Sequence, residues 1–245
     1  MKFSADLSVC LLPTNRPEMI HRCLESVDEF AGSVSCEIIL VVSKSDDWLA
    51  EITAGFPETI IYDHNGPLGE IEARNHALRL AGGRYIMLCD ARIVFPPQAI
   101  INLINFMDEN PEIGLVGPQI INQAGEIQPS SGAFPSFGKL IASRSLMNDR
   151  RIKPAQSLAA QKVDWVDLSA MLIRRELLAE IGLLDENYAG PLGDLDYCLQ
   201  ADREGWHVCS LPGISLTISG QDKYRTRQKL HLTDIFRFFL KKWFS

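Results

Sequence analysis

The chain has 245 residues, 46% of them hydrophobic and 22% charged, with a net charge of −7 and a pI near 5.3; this is ordinary globular composition, long enough for a sizeable core. The acidic balance excludes a general nucleic-acid surface, because binding a polyanion is driven by Lys and Arg neutralising phosphates. The six cysteines, Cys10, Cys23, Cys36, Cys89, Cys198 and Cys209, form no CxxC pair and mostly sit in apolar runs, so they read as reduced core residues.

The first half alternates short β-branched runs with amphipathic stretches, the pattern of βαβ units around a mostly parallel sheet. Leu7 to Leu12 predicts a strand. After Pro17, Ile20, Cys23, Leu24 and Val27 recur at helical spacing. Glu37 to Val42 and Thr59 to Tyr62 predict two further strands, and Glu70 to Ala81 a helix ended by Gly82 and Gly83. Tyr85 to Cys89 predicts a buried strand ending at Asp90. Ligands of open α/β sheets lie outside the carboxyl ends of the strands, so Asp90 stands where a ligand would be met. A helix opened by Pro96 and Pro97 has Ile100, Ile101, Ile104 and Met107 on its face.

Beyond Gly114 the spacing predicts a strand to Ile121, then a segment rich in Gly, Ser, Gln and Pro to Pro135. Residues 137–161 carry weak signals and read as a mobile loop near a site, the usual place for a lid. Val163 to Ile173 predicts one strand, Arg175 to Gly182 a short helix, Tyr197 to Glu204 a helix, and Trp206 to Leu211 a strand. No apolar stretch reaches the length of a membrane span and no signal-peptide core follows Met1, so a cytoplasmic location is expected. No phosphate-binding GxxxxGK[ST], GxGxxG after the first strand, HExxH or GxSxG is present.

Leu11-Leu12-Pro13-Thr14-Asn15-Arg16-Pro17, Glu72-Ala73-Arg74-Asn75, Tyr85 to Asp90, Trp165, Met171 to Arg175 and Asp194-Leu195-Asp196-Tyr197 stand in an order that resembles the family 2 glycosyltransferases, rhamnosyltransferase-like members among them. The resemblance covers roughly residues 7 to 220 and implies an α/β GT-A fold: a Rossmann-like, mostly parallel sheet flanked by helices, as one domain. It also implies transfer of a sugar from a nucleotide donor to an acceptor hydroxyl with inversion, the acceptor being a glycan or a lipid-linked glycan.

Residue by residue, the resemblance implies Asp194 as general base, although an Asp at a helix start can also serve only as an N-cap. It implies nucleotide-sugar binding by Thr14, Asn15, Arg16, Arg74, Asp90 and Trp165. Departures are equally specific. The usual Asp-x-Asp, whose oxygens hold Mn²⁺ or Mg²⁺, is Asp90-Ala91-Arg92, which leaves Asp90 as the sole candidate ligand. Arg92 then either pairs the diphosphate directly or reflects loss of donor turnover. Ser43 stands where an Asp usually reads the base. Gly193 replaces the Glu before Asp194, Ile218 a His, and Leu168 a Gly that makes room for the sugar. No cofactor is therefore certain, and the donor sugar is not readable.

Residues 221–245 hold seven Lys or Arg and two Asp, a net charge of +5 that leaves −12 for residues 1–220. Leu232, Ile235, Phe236, Phe239 and Trp243 share a helical face, so this tail is read as a basic amphipathic helix. It suits the inner face of an anionic membrane or, equally, docking on the domain or on a second copy. Two functions stay open: an inverting transferase in cell-surface or secreted polysaccharide synthesis, or a catalytically silent GT-A domain acting as a nucleotide-binding or protein-interaction scaffold.

Overall fold

The computed structural model describes residues 3–13, 16–42, 48–64, 66–143, 158–188, 192–220 and 230–244. Strand β1 (Leu7–Leu12) leads to α1 (Pro17–Ala31), β2 (Cys36–Val42), α2 (Trp48–Gly55), β3 (Thr59–Asp63), α3 (Glu70–Leu80) and β4 (Tyr85–Asp90). Then come β5 (Ile93–Val94), α4 (Ala99–Glu109), β6 (Ile113–Asn122), β7 (Ile127–Gln128), β8 (Ser131–Gly132) and α5 (Phe137–Ser143). The last third holds β9 (Gln161–Lys162), β10 (Trp165–Val166), β11 (Ala170–Arg174), α6 (Arg175–Ile181), α7 (Gly193–Arg203), β12 (His207–Ile218) and α8 (Leu232–Phe244).

The main sheet runs β3-β2-β1-β4-β11-β6-β12-β5. Its first four strands are parallel, as the βαβ pattern requires. β11 then inserts antiparallel to both β4 and β6. Successive residues of each central strand enter opposite cores: Val9, Leu40 and Met87 face α1 and α4, while Cys10, Ile39 and Leu88 face α3, α6 and α7. Burial on both faces explains why β1, β2 and β4 are almost unbroken apolar runs. All six cysteines are free thiols.

Several expectations change in detail. The stretch 163–173 is not one strand: Asp167 Oδ1 accepts the Ser169 N–H at 2.7 Å, and this side-chain turn separates β10 from β11. Part of the expected loop at 137–161 is helix α5, with Leu140 fully buried; residues 144–157 lie outside the described ones. On α4, Leu103 rather than Ile101 completes the buried face. Helix α7 begins at Gly193, four residues before the expected start, with Asp194 and Asp196 in its first turn, where carboxylates complement the helix dipole. β12 continues through Pro212 by a register shift between Leu211 and Ser215, a bulge that keeps the ladder on both sides of the proline.

The tail helix packs on the body. Ile235, Phe238 and Phe239 are buried in the core that also holds Leu140 and Leu195, with Phe134 against Phe238 and Phe137 against Phe239. Of the expected face only Ile235 and Phe239 turn inward, because Phe134 and Phe137 supply apolar partners on that side. Leu232, Phe236 and Trp243 remain exposed.

Candidate active site

The parallel half changes direction between β1 and β4, where Leu12 lies opposite Asp90 in register. Such a switch point is where a sheet of this kind opens a crevice. Asp90 is held there by its backbone: its N–H donates to Ser169 O at 3.0 Å, and the Ala91 N–H donates to Leu12 O at 2.9 Å. The carboxylate lies between two guanidinium groups. Arg74 Nη2 donates to Oδ1 at 3.0 Å and Arg92 Nη2 to Oδ2 at 2.8 Å.

Arg74 is 1% exposed at its side chain and also donates to Glu70 Oε1 at 3.1 Å, one helical turn earlier. Arg92, at 18%, is the more accessible cation of the two. Two carboxylates thus balance the two guanidinium groups, and the cluster can stay charged while partly dry. None of the family motifs marks Glu70, although its i,i+4 spacing to Arg74 is visible in the sequence.

Strand β12 delivers its end to the same rim. The Ser219 N–H donates to Arg92 O at 2.9 Å, and Ile218 pairs with Ile93. The position at which the resemblance expects a His therefore lies beside Arg92, occupied by an apolar core side chain. Arg16, exposed at the start of α1, reaches the same edge, with its Nη1 3.9 Å from where a Cβ on Gly220 would stand.

Asp194 is fully buried, and its Oδ1 accepts the Leu195 N–H at 2.9 Å. The preceding Gly193 packs on Ile71 of α3, one turn before Arg74. This contact sets the start of α7 against the start of α3, so the Asp194 turn and the Arg74 cluster share one end of the fold. Asp196 has different work. Its Oδ1 accepts Tyr188 Oη–H at 2.9 Å, and its Oδ2 accepts Gln200 Nε2 at 2.7 Å and Lys241 Nζ at 2.9 Å. Lys241 also donates to Asp185 at 2.8 Å, which ties α8 to the start of α7 and to the turn before it.

Trp165 is 1% exposed, and its indole N–H donates to Ala133 O at 3.0 Å. It braces the β8–β10 pair from within the core. Leu168 is buried in the same core. Asn75 joins α3 to the turn after α6, donating to Leu184 O and Glu186 Oε1, each at 2.8 Å. Thr14, Asn15 and Ser43 lie outside the described residues.

The described residues hold no group of three or more His, Cys, Asp or Glu that could bind a metal ion. Both Asp90 oxygens already face guanidinium groups, so a divalent ion brought there would meet two positive charges. The described side chains do not fit a divalent site at Asp90.

A parallel half with Asp90 held between two guanidinium groups at its switch point, joined to an extension of mixed strand direction and α7, defines a GT-A-type α/β domain. The chain belongs to glycosyl transferase family 2, whose sequence profile matches residues 8–182. An N-acetylglucosaminyl-diphospho-decaprenol L-rhamnosyltransferase of Mycobacterium tuberculosis is 23% identical over 144 residues, covering 54% of this chain and 46% of its own length. The minor teichoic acid biosynthesis protein GgaB of Bacillus subtilis is 30% identical over 129 residues, covering 50% of this chain and 14% of its own. The chain thus spans less than half the length of these curated relatives.

Two solved structures share the fold. GalNAc-T7 with UDP, GalNAc and Mn²⁺ matches with a TM-score of 0.69 at 17% identity, covering 89% of this chain and 44% of that one. The mannosyltransferase PcManGT of Pyrobaculum calidifontis, in complex with GDP-Man and Mn²⁺, matches at 0.61 and 16% identity, covering 91% and 59%.

Proposed function

We propose that the chain carries the donor site and the base of an inverting glycosyltransferase of cell-surface or secreted polysaccharide synthesis. The observation that carries the reading is the Arg74–Asp90–Arg92 cluster at the switch point of a family 2 domain. In this reading Arg92 pairs the diphosphate in a bidentate fork, doing with a fixed charge what a divalent ion does elsewhere. The acceptor hydroxyl oxygen forms a bond to the anomeric carbon on the face opposite the diphosphate. The anomeric bond to the diphosphate breaks, the hydroxyl proton passes to the Asp194 carboxylate, and the nucleoside diphosphate leaves with its charge met by the arginines.

The names of the relatives support a glycan or a lipid-linked glycan as acceptor. That chemistry favours a cytoplasmic chain held at the inner face of a membrane, and no helix of the described residues is long and apolar enough to cross one. The silent-scaffold reading has one specific observation behind it: both oxygens of Asp90 are engaged within the protein.

Calorimetric titration with a panel of nucleoside-diphosphate sugars, with Mn²⁺ and with EDTA, separates the readings. The transferase reading expects binding that survives EDTA, followed by sugar transfer to a glycan acceptor. Binding without turnover on any acceptor supports the scaffold, and absence of binding under both conditions removes the donor site.

A further inference from the structure

The helix that docks on the body leaves a second apolar face uncovered. Leu232 is 42% exposed, Phe236 49%, Leu240 55%, Trp243 56% and Phe244 81%. Spaced at three and four residues, they form one stripe along α8, and Phe137 of α5 extends it by packing against Phe236 and Trp243. The opposite face is anchored by Ile235, Phe238 and Phe239 in the core and by Lys241 on Asp185 and Asp196. The stripe is therefore presented by a helix already fixed in place.

Two occupants suit such a face, and size and charge separate them. A 13-residue helix is about 20 Å long and about 10 Å wide, so its outer face offers roughly 200 Å². A stable protein interface needs about 800 Å² on each partner. Stacking two copies stripe on stripe would also bring together two helices that each carry Arg237, Lys241 and Lys242 against Asp234 alone, a net charge of +2. An anionic lipid surface has no such area threshold and attracts the same charge. Lys242, placed over the Phe134 ring, and Lys139 on α5 add basic groups on these two helices.

We infer that the outer face of α8, formed by Leu232, Phe236, Leu240, Trp243 and Phe244, is a docking surface for an anionic membrane. Through the Lys241–Asp196 tie it holds the start of α7, with Asp194, at a fixed orientation to the bilayer. The inference deepens the peripheral placement proposed above and is independent of sugar transfer, so failed vesicle binding and failed donor binding are separate results.

The test is co-sedimentation of the full chain with phosphatidylcholine vesicles and with vesicles of equal phosphatidylcholine and phosphatidylglycerol. The protein should sediment with the mixed vesicles at low salt, much less with phosphatidylcholine alone, and progressively less as salt rises. The Leu240→Ser/Phe244→Ser double variant should lower partition by about tenfold or more with an unchanged melting temperature. Ile60→Ser, an exposed apolar residue on the edge strand β3, should leave binding as it was. Equal binding by the double variant, or no binding of the intact chain to anionic vesicles at low salt, overturns the proposal. So does a concentration-dependent dimer in sedimentation equilibrium that the double variant abolishes, which would assign the stripe to a second copy.

Discussion

A Cβ on Gly193 would stand 2.7 Å from Cδ1 of Ile71. The residue before Asp194 is therefore small because α3 packs against it, where the family resemblance expects a Glu. Gly193→Ala should destabilise the fold by about 1 kcal/mol, the low end of the overpacking range, since only the tip of one side chain must move. Ile71→Val, which removes that methyl, should recover much of the loss in the double variant. Urea unfolding of the four proteins closes the cycle, and additive effects of the two substitutions would disconnect them.

Asp194→Asn preserves shape and can keep the bond from the Leu195 N–H through its amide oxygen, but it cannot take a proton. Transfer should fall by about 10²–10⁴, while donor affinity and melting temperature stay close to those of the parent. Single-turnover rates and calorimetry give both numbers. Undiminished transfer in this variant would remove Asp194 from the chemistry and leave it a helix-start carboxylate.

Arg92→Ala should weaken nucleoside-diphosphate binding by about tenfold or more, as expected for loss of one charge-assisted pair. The weakening should be the same in EDTA and in Mn²⁺. A variant that binds tightly only when Mn²⁺ is added would show Asp90 able to recruit the ion once its guanidinium partner is gone.

Lys241→Met should lower stability by about 1–3 kcal/mol, because the buried Asp196 loses a cation while keeping Tyr188 and Gln200. The parent should show a matching pH dependence. Burial alone would raise the Asp185 carboxyl, but hydrogen bonds from Lys241 and Asn187 outweigh it and hold its pKa below the usual range. Lys241 is lowered by burial but raised more by its bonds to Asp185 and Asp196. The depressed acid contributes stability that is full above about pH 4 and is lost as pH falls through its folded pKa. The raised base contributes stability that is full below about pH 10.4 and is lost as pH rises through its folded pKa. Melting curves across pH should therefore drop at both ends in the parent and be flatter in Lys241→Met.

The parallel half of the fold is legible in the sequence. Its strands are buried on both faces and its helices on one, so period and continuity alone mark β1, α1, β2, α3 and β4. The sequence also places Asp90 at a strand end, and the order of its motifs marks the family. What these residues do to one another follows from the packing of segments distant in the chain. That both oxygens of Asp90 are met by guanidinium groups, one from its own strand end and one from α3, depends on two chain segments sixteen residues apart meeting at the switch point. The early start of α7 was hidden because Gly193 reads as a helix breaker, and its reason is a contact with Ile71 more than a hundred residues earlier. The tail shows the same division. Its sequence specifies a helix with apolar residues on more than one side, but which of them face inward was settled by where Phe134, Phe137 and the Asp185–Asp196 pair stand, a choice that local periodicity has no means to make.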